Sequence, residues 1–144
     1  MSRRVHLDAN VILRFLRNDD AGQSPLAAEL FERAQAATVN LIVSPVTLLE
    51  VFYVLATSYG MSRPEVARIL RVFLSSGLVA CEDKGIALDA LQRITSNKVS
   101  FGDAYLVATA VKANDEVATF DKGISGLASI RAFPLASLSK GKSK

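Results

Sequence analysis

Apolar residues along this chain occur either in short runs or at helical spacing, and the two patterns alternate. The stretch Val5 to Leu7 predicts a strand that ends at Asp8. The apolar residues that follow at helical spacing are Val11, Ile12, Phe15 and Leu16. Further strands are predicted at 41–43, 78–81 and 117–120, with an edge strand at 130–133. Serine N-caps predict helices that begin at Ser24, Ser44 and Ser62, and the last two of these are predicted to stop at Gly60 and Gly77. Further helices are predicted to cover 86–94 and 104–111.

Strands that are apolar throughout and alternate with helices indicate a mainly parallel sheet covered on both faces. The predicted fold class is therefore α/β, as a three-layer α/β/α domain. We assign residues 1–135 to this domain and 136–144 to a basic tail. Three lysines among Ser and Gly predict that the tail is disordered.

Composition narrows the class of protein. The chain has 144 residues, half of them hydrophobic, and one cysteine, so a single core can form and no intramolecular disulfide can. The longest apolar stretch, 41–56, contains Pro45 and Glu50 and is shorter than the roughly 18 residues of a membrane span. No signal peptide is apparent, and we expect a cytoplasmic protein without a membrane segment. The net charge of +3 weakly favours an anionic partner.

Four acidic residues stand alone in otherwise uncharged segments. Glu50 is the only formal charge from Ala34 to Ser62, and Asp103 is the only one in 99–111. Asp8 and Asp121 each follow a predicted apolar strand. Because a buried carboxylate costs several kcal/mol without compensation, and no basic residue lies one turn away on either helix, we expect one shared site to compensate all four.

The predicted topology places these acids together. Asp8 and Asp121 would lie at the carboxyl ends of parallel strands, the edge at which open α/β sheets build their sites. Crowded carboxylates repel one another unless a cation lies among them, and oxygen ligands alone favour Mg²⁺ or Mn²⁺. A metal-activated water would suit the hydrolysis of phosphodiester bonds, with or without a second ion.

The sequence resembles the PIN-domain nucleases, in particular the VapC-type toxins of bacterial and archaeal toxin–antitoxin pairs. The resemblance covers about residues 4–134 and rests on four short motifs: LDANVIL at 7–13, LEV at 49–51, FGDA at 101–104 and TFDK at 119–122. It implies that Asp8, Glu50, Asp103 and Asp121 form an acidic metal site, supported by Asn10 and Thr119.

The same resemblance implies an Mg²⁺- or Mn²⁺-dependent endoribonuclease that cuts structured RNA, commonly transfer or ribosomal RNA. It also implies a homodimer held inactive by a cognate antitoxin, part of which covers the active-site groove. Separately, Arg14 and Arg17 lie one turn apart on the helix after Asp8, where they could meet the phosphate backbone of RNA.

Each acid also has an explanation that involves no metal. Asp8 could cap the first helix, and Asp103 could belong to a capping box with Ser100. Asp121 could be an ordinary turn residue, and Glu50 could form a buried pair with Arg14 or Arg68. The shared metal site would be absent only if all four of these explanations were correct.

Two other classes of function remain open at this point. A phospho-acceptor regulatory module, like a response-regulator receiver, carries acids at the same sheet edge, but here no Lys lies in 130–134. An aspartate-nucleophile phosphatase would suit Asp8-x-Asn10, although it normally has a second Asp where Asn10 stands. A stable acyl-phosphate after treatment with a small phosphodonor would favour the receiver.

Overall fold

The structure is a computed structural model that describes residues 3–127 and 129–138. Strands and helices alternate through most of these residues, as predicted. The strands are β1 (Arg3–His6), β2 (Val39–Val43) and β3 (Val79–Cys81). The helices are α1 (Ala9–Arg17), α2 (Ser24–Gln35), α3 (Pro45–Thr57), α4 (Arg63–Ser75), α5 (Lys84–Ser96), α6 (Phe101–Ala113) and α7 (Lys122–Ser125).

The three strands form one parallel sheet in the order β1-β2-β3. His6 pairs with Ile42, and the N–H of Leu7 donates to the carbonyl of Ile42 at 2.8 Å. The carboxyl ends of all three strands therefore lie at one edge of the sheet, and Asp8 lies two residues after the end of β1. The predicted α/β class with a parallel sheet is confirmed.

The two faces of the sheet are packed unequally. Along β2, Val39, Leu41 and Val43 are buried, whereas Asn40 is exposed and Ile42 is half-buried. The main core joins the buried face to the helices, with Leu48, Val51 and Leu55 of α3 fully enclosed. One face of the sheet thus contributes most of the buried apolar surface.

Serine caps begin three of the helices where local sequence predicts them. The Oγ atoms of Ser44, Ser62 and Ser100 accept hydrogen bonds from the backbone N–H three residues later. Ser24 was also predicted to cap a helix, and this is wrong. The cap position of α2 is Gln23, and the Ser24 hydroxyl instead donates to the carbonyl of Arg14 at 2.9 Å.

The predicted strands at 117–120 and 130–133 do not form in the described residues. A single parallel bridge joins Val117 to Ala132, and of the first segment only Val117 is buried. Phe120 is 91% exposed, and Ala118 is also exposed. A strand with an apolar sequence but no neighbour to cover its side chains gains little from burial, which explains the difference.

The predicted tail lies mostly outside the described residues. Its first part, 136–138, forms a helical turn in which the N–H of Ser137 donates to the carbonyl of Pro134 at 3.0 Å. Residues 139–144, with the three tail lysines, lie beyond the described part of the chain, so the expected disorder there is not tested.

Candidate active site

Asp8 begins the site at the carboxyl edge of the sheet. It occupies the cap position of α1 in extended conformation, but its side chain accepts no capping hydrogen bond. The capping explanation for its side chain is therefore not supported. The residue is exposed, and among the described residues no donor or cation contacts its carboxylate.

Glu50 lies on the second turn of α3, which starts at the same sheet edge after β2. Its side chain is exposed and lines an open groove of about 690 Å³. The groove is otherwise mostly apolar, with Val46 74% and Tyr53 67% exposed. Glu50 has no ion pair within the described part of the chain, and Arg14, one of the two arginines proposed as its partner, pairs with Asp19 instead.

Asp103 lies in the first turn of α6, close to α3. The Ser100 hydroxyl accepts from the N–H of Asp103 at 3.0 Å, so the backbone half of the predicted capping box forms. The half-buried Asp103 carboxylate itself has no hydrogen bond or ion pair to any residue in 3–127 or 129–138. Capping thus accounts for the hydrogen bond of the Asp103 backbone, but it does not account for the unpaired carboxylate.

Helices α3 and α6 bring the surroundings of Glu50 and Asp103 together. The rings of Phe52 and Phe101 have their centroids 5.1 Å apart, and Ser100 and Gly102 line the same groove as Glu50. A Cβ atom built on Gly102 would lie 3.8 Å from Leu49 Cδ1. The first turn of α6 therefore packs beside the turn of α3 that carries Glu50.

Asp121 is positioned by local hydrogen bonds. Its Oδ1 accepts from the N–H of Gly123 at 2.7 Å, and Thr119 Oγ1 accepts from the N–H of Asp121 at 3.0 Å. This is the turn geometry that the alternative explanation expects, and it also orients the carboxylate at the start of α7. The residue is exposed, and the second oxygen of its carboxylate has no protein partner in the part of the chain described here.

The four acids were predicted to lie in the core, and this is wrong. Asp8, Glu50 and Asp121 are exposed, and Asp103 is half-buried. An uncharged segment packs its backbone and its apolar side chains into the core, while a single carboxylate at a helix start or on an outer helix face stays in water. Water can solvate each of these charges, so burial alone does not require them to share one cation.

The donor set fits a hard divalent cation, although the geometry of a complete site is not seen. Unpaired carboxylate oxygens are the ligands that Mg²⁺ and Mn²⁺ prefer, and Asp8, Glu50 and Asp103 have no competing protein partner among the described residues. No three Asp, Glu, His or Cys side chains in that part of the chain lie close enough together to hold a metal. Convergence of all four acids on one ion therefore remains a prediction.

The two arginines proposed to bind RNA have protein partners. Arg14 Nε donates to Gln23 Oε1 at 2.8 Å, and its guanidinium lies 3.5 Å from Asp19. The guanidinium of Arg17 lies 4.9 Å from the centre of the Tyr59 ring. These contacts fix both side chains near α2 and α3, and contact with RNA remains a prediction for each.

Arg63 is a residue of the site that sequence analysis missed. Its Nη2 donates to the carbonyl of Val99, just before the cap of α6, and its half-buried side chain lines the groove beside Glu50. The only local signal is its place after the Ser62 cap, and that does not indicate a contact 36 positions away. Arg63 therefore holds the segment from which Asp103 projects.

A helix long and apolar enough to cross a membrane is absent from the residues that the structure describes.

A comparison with protein-family models matches the PIN domain over residues 5–130, which is most of the chain. A search of curated proteins found no match. PIN domains are generally nucleases and usually use divalent metals such as Mg²⁺, which supports a hydrolase acting on nucleic acid over a receiver or a phosphatase. The parallel sheet, the acid that follows β1 and the family match together place this chain in the PIN-domain family.

Proposed function

We propose that this protein is an Mg²⁺- or Mn²⁺-dependent endoribonuclease that acts as the toxin of a toxin–antitoxin pair. The observation that carries the nuclease part is the state of Asp8, Glu50 and Asp103, whose carboxylates have no protein partner in the described residues of a PIN domain. Carboxylate oxygens without a protein partner are free to bind a hard divalent cation.

In this proposal Asp8 and Asp103 are the principal ligands of the ion, and Glu50 and Asp121 complete the site. A divalent ion bound there would polarise the phosphate and lower the pKa of water. Asn10, exposed beside Asp8 in the first turn of α1, is available to orient the phosphate by hydrogen bonding. The Thr119 hydroxyl accepts a hydrogen bond from the N–H of Asp121 and so helps to orient the Asp121 carboxylate.

The proposal predicts that Asp8→Asn or Asp103→Asn lowers RNA cleavage by at least about 100-fold. Even residues that only support metal ligands are commonly worth about 10- to 100-fold in activity, so loss of a ligand should cost at least as much. Stability should not fall, because neither carboxylate forms a protein contact in the described residues. Cleavage of a labelled RNA in MgCl₂ or MnCl₂ and thermal unfolding followed by circular dichroism measure the two effects.

Asp115→Asn is the matched control, because Asp115 is an exposed acid in the turn after α6 and lies away from the groove. It should retain full cleavage. Wild-type cleavage rates in purified Asp8→Asn or Asp103→Asn protein would defeat the assignment of these residues as metal ligands.

The toxin part of the proposal rests on the resemblance and is supported by the groove along α3. Val46 and Tyr53 expose apolar surface directly beside Glu50, and Arg63 adds a positive charge to the same groove. An antitoxin segment with apolar side chains and an acidic group would complement this surface and cover the site at the same time. The protein itself would be a homodimer.

Expression with and without the gene that neighbours its own tests this part. The protein alone should arrest growth, with cleaved ends in cellular RNA, and a small neighbouring open reading frame should restore growth. Multi-angle light scattering of the purified protein should give twice the mass of one chain. Growth that is unaffected by the active protein would contradict the toxin role and leave the nuclease assignment intact.

A further inference from the structure

A second cavity opens beside Asp8, between α1 and α2. Its volume is about 440 Å³, within the roughly 300 to 1,000 Å³ of small-molecule sites. Asp8 and Asn10 line it from the start of α1, and Gln23 and Leu26 line it from the start of α2. The cavity is thus separate from the α3 groove, and of the two it is the one that the candidate metal ligand Asp8 lines.

The lining of this cavity combines apolar surface with a few polar groups. Val11 and Leu30 are half-buried and Ala27 is buried, while Leu26 is 67% exposed. The polar groups are amides and a guanidinium rather than further acids. A nucleobase has the same combination of apolar faces and polar edges, and proteins bind unpaired bases through stacking and hydrogen bonds to those edges.

The polar wall of the cavity is held in place by a hydrogen-bonded turn between the two helices. Asp20 Oδ1 accepts from the N–H groups of Gly22 and Gln23 at 2.9 and 2.8 Å. These backbone hydrogen bonds, with a smaller contribution from Arg14, keep the pKa of Asp20 below its ordinary value. Gln23 is therefore presented by a fixed turn and need not be ordered when a ligand binds.

Arg14 also sets which groups of Gln23 are free. Because Gln23 Oε1 accepts from Arg14 Nε at 2.8 Å, the side chain of Gln23 has its NH₂ group left to donate to a ligand. Arg14 itself is held between Asp19 and Asp20, at 3.5 and 3.9 Å, so its charge is largely neutralised. The cavity therefore offers hydrogen-bond donors without a strong net charge at this wall.

We propose that this cavity binds the base of an unpaired ribonucleotide next to the cleaved bond, with the Gln23 amide donating to a carbonyl oxygen of the base. The inference rests on the proposed function, because a base next to the cleaved bond exists only if the protein cleaves RNA at Asp8. A base in the cavity leaves its own phosphate close to Asp8.

The donor group of Gln23 sets the expected base preference. Uracil carries carbonyl oxygens at positions 2 and 4, and hypoxanthine and guanine carry one at position 6, whereas adenine has an amino group there and no carbonyl. Adenine should therefore bind more weakly, by about five-fold, which is what one net hydrogen bond contributes. Cytosine also carries a carbonyl, at position 2, so the substrate class is an RNA with an unpaired uridine, cytidine or guanosine at the cut.

In the first experiment the metal-free 144-residue chain is titrated with uridine, inosine or adenosine, and binding is followed by ¹⁵N nuclear magnetic resonance. Nucleosides are used because a phosphate would be repelled by Asp8 in the absence of a cation. Uridine and inosine should shift the side-chain amide signals of Gln23 and bind about five-fold more tightly than adenosine. Gln23→Leu should abolish this preference, and Gln35→Leu, an exposed residue at the other end of α2, should preserve it.

The second experiment measures kcat/KM on RNA substrates that differ only in the base beside the cleaved bond. Wild type should prefer uridine or guanosine over adenosine, and Gln23→Leu should lower this preference by about five-fold while Gln35→Leu leaves it unchanged. Equal binding of the three nucleosides, shifts confined to residues outside the cavity, or a base preference unaffected by Gln23→Leu would each overturn the inference.

The two experiments separate this inference from the proposed function. Nucleoside binding at Gln23 with the stated preference, in a protein that cleaves no RNA in Mg²⁺ or Mn²⁺, would support the base site and contradict the nuclease. RNA cleavage without the nucleoside preference would contradict the base site and support the nuclease.

Discussion

Arg63 shows how a single side chain can position a site carried by another helix. Its guanidinium donates to the carbonyl of Val99, one residue before the Ser100 cap of α6. The hydrogen bond is partly buried, so water replaces it poorly if the side chain is removed. Arg63 thus connects α4 to the turn of α6 that carries Asp103.

Arg63→Ala is expected to lower the free energy of unfolding by about 1 to 3 kcal/mol, since a partly buried carbonyl loses a charged donor. It should also lower RNA cleavage, because the first turn of α6 loses an anchor. Urea unfolding and cleavage of a labelled RNA measure the two effects. Arg68→Ala, at an exposed position of the same helix, should change neither, and equal effects of the two substitutions would contradict the role of Arg63.

At the scale of residues, the sequence proposes the four acids as candidates but does not predict their surroundings. Isolated charges in uncharged segments singled out Asp8, Glu50, Asp103 and Asp121 as candidates. The same pattern predicted their burial, which is wrong, because it describes the segment and not the direction of each side chain. Contacts such as those of Arg63 and Gln23 join positions that are distant or irregular in sequence, and no local pattern encodes them.

At the scale of helices and strands, local sequence signals predicted correctly those features that depend on interactions between nearby residues. Ser44 and Ser62 cap their helices as predicted, and Ser100 caps α6 as the alternative explanation of Asp103 expects, since a cap involves residues only three positions apart. Gly60 and Gly77, with φ of +63° and +81°, follow α3 and α4 where stops were predicted. The strand predicted at 117–120 depends on pairing with a distant segment, and only the bridge from Val117 to Ala132 forms.

The caps permit a matched pair of substitutions that separates stability from activity. Ser100→Ala and Ser62→Ala should each lower the free energy of unfolding by about 1 kcal/mol, because each removes one capping hydrogen bond. Ser100→Ala should lower RNA cleavage more than Ser62→Ala does, because α6 carries Asp103 itself, whereas α4 acts on Asp103 only through the hydrogen bond from Arg63 to Val99. RNA cleavage by the two variants should be compared at a temperature well below the unfolding midpoint of both.

Equal cleavage by the two cap variants would contradict the idea that the first turn of α6 positions a ligand. A larger loss of activity in Ser62→Ala than in Ser100→Ala would also contradict it, since the contact of Arg63 with Val99 would then position Asp103 more than the cap of α6 does.

At the scale of the whole molecule, the parallel sheet gives these residues a common edge. β1 and β2 end side by side, so Asp8 and the start of α3 lie at the same edge, and α6 packs against α3. Alternation of strands and helices was sufficient to predict the α/β class. The four carboxylates come from four distant segments, and the distances between them depend on how the helices pack. The sequence pattern does not predict these distances.

The central claim is that Asp8, Glu50, Asp103 and Asp121 together form one binding site for a divalent metal. The most direct measurement is anomalous X-ray diffraction from crystals of this protein grown with MnCl₂. The account predicts an anomalous peak within about 2.0 to 2.5 Å of carboxylate oxygens from Asp8 and Asp103, with Glu50 and Asp121 nearby. A well-ordered structure at saturating Mn²⁺ with no peak at these residues, or with peaks only elsewhere, would contradict it.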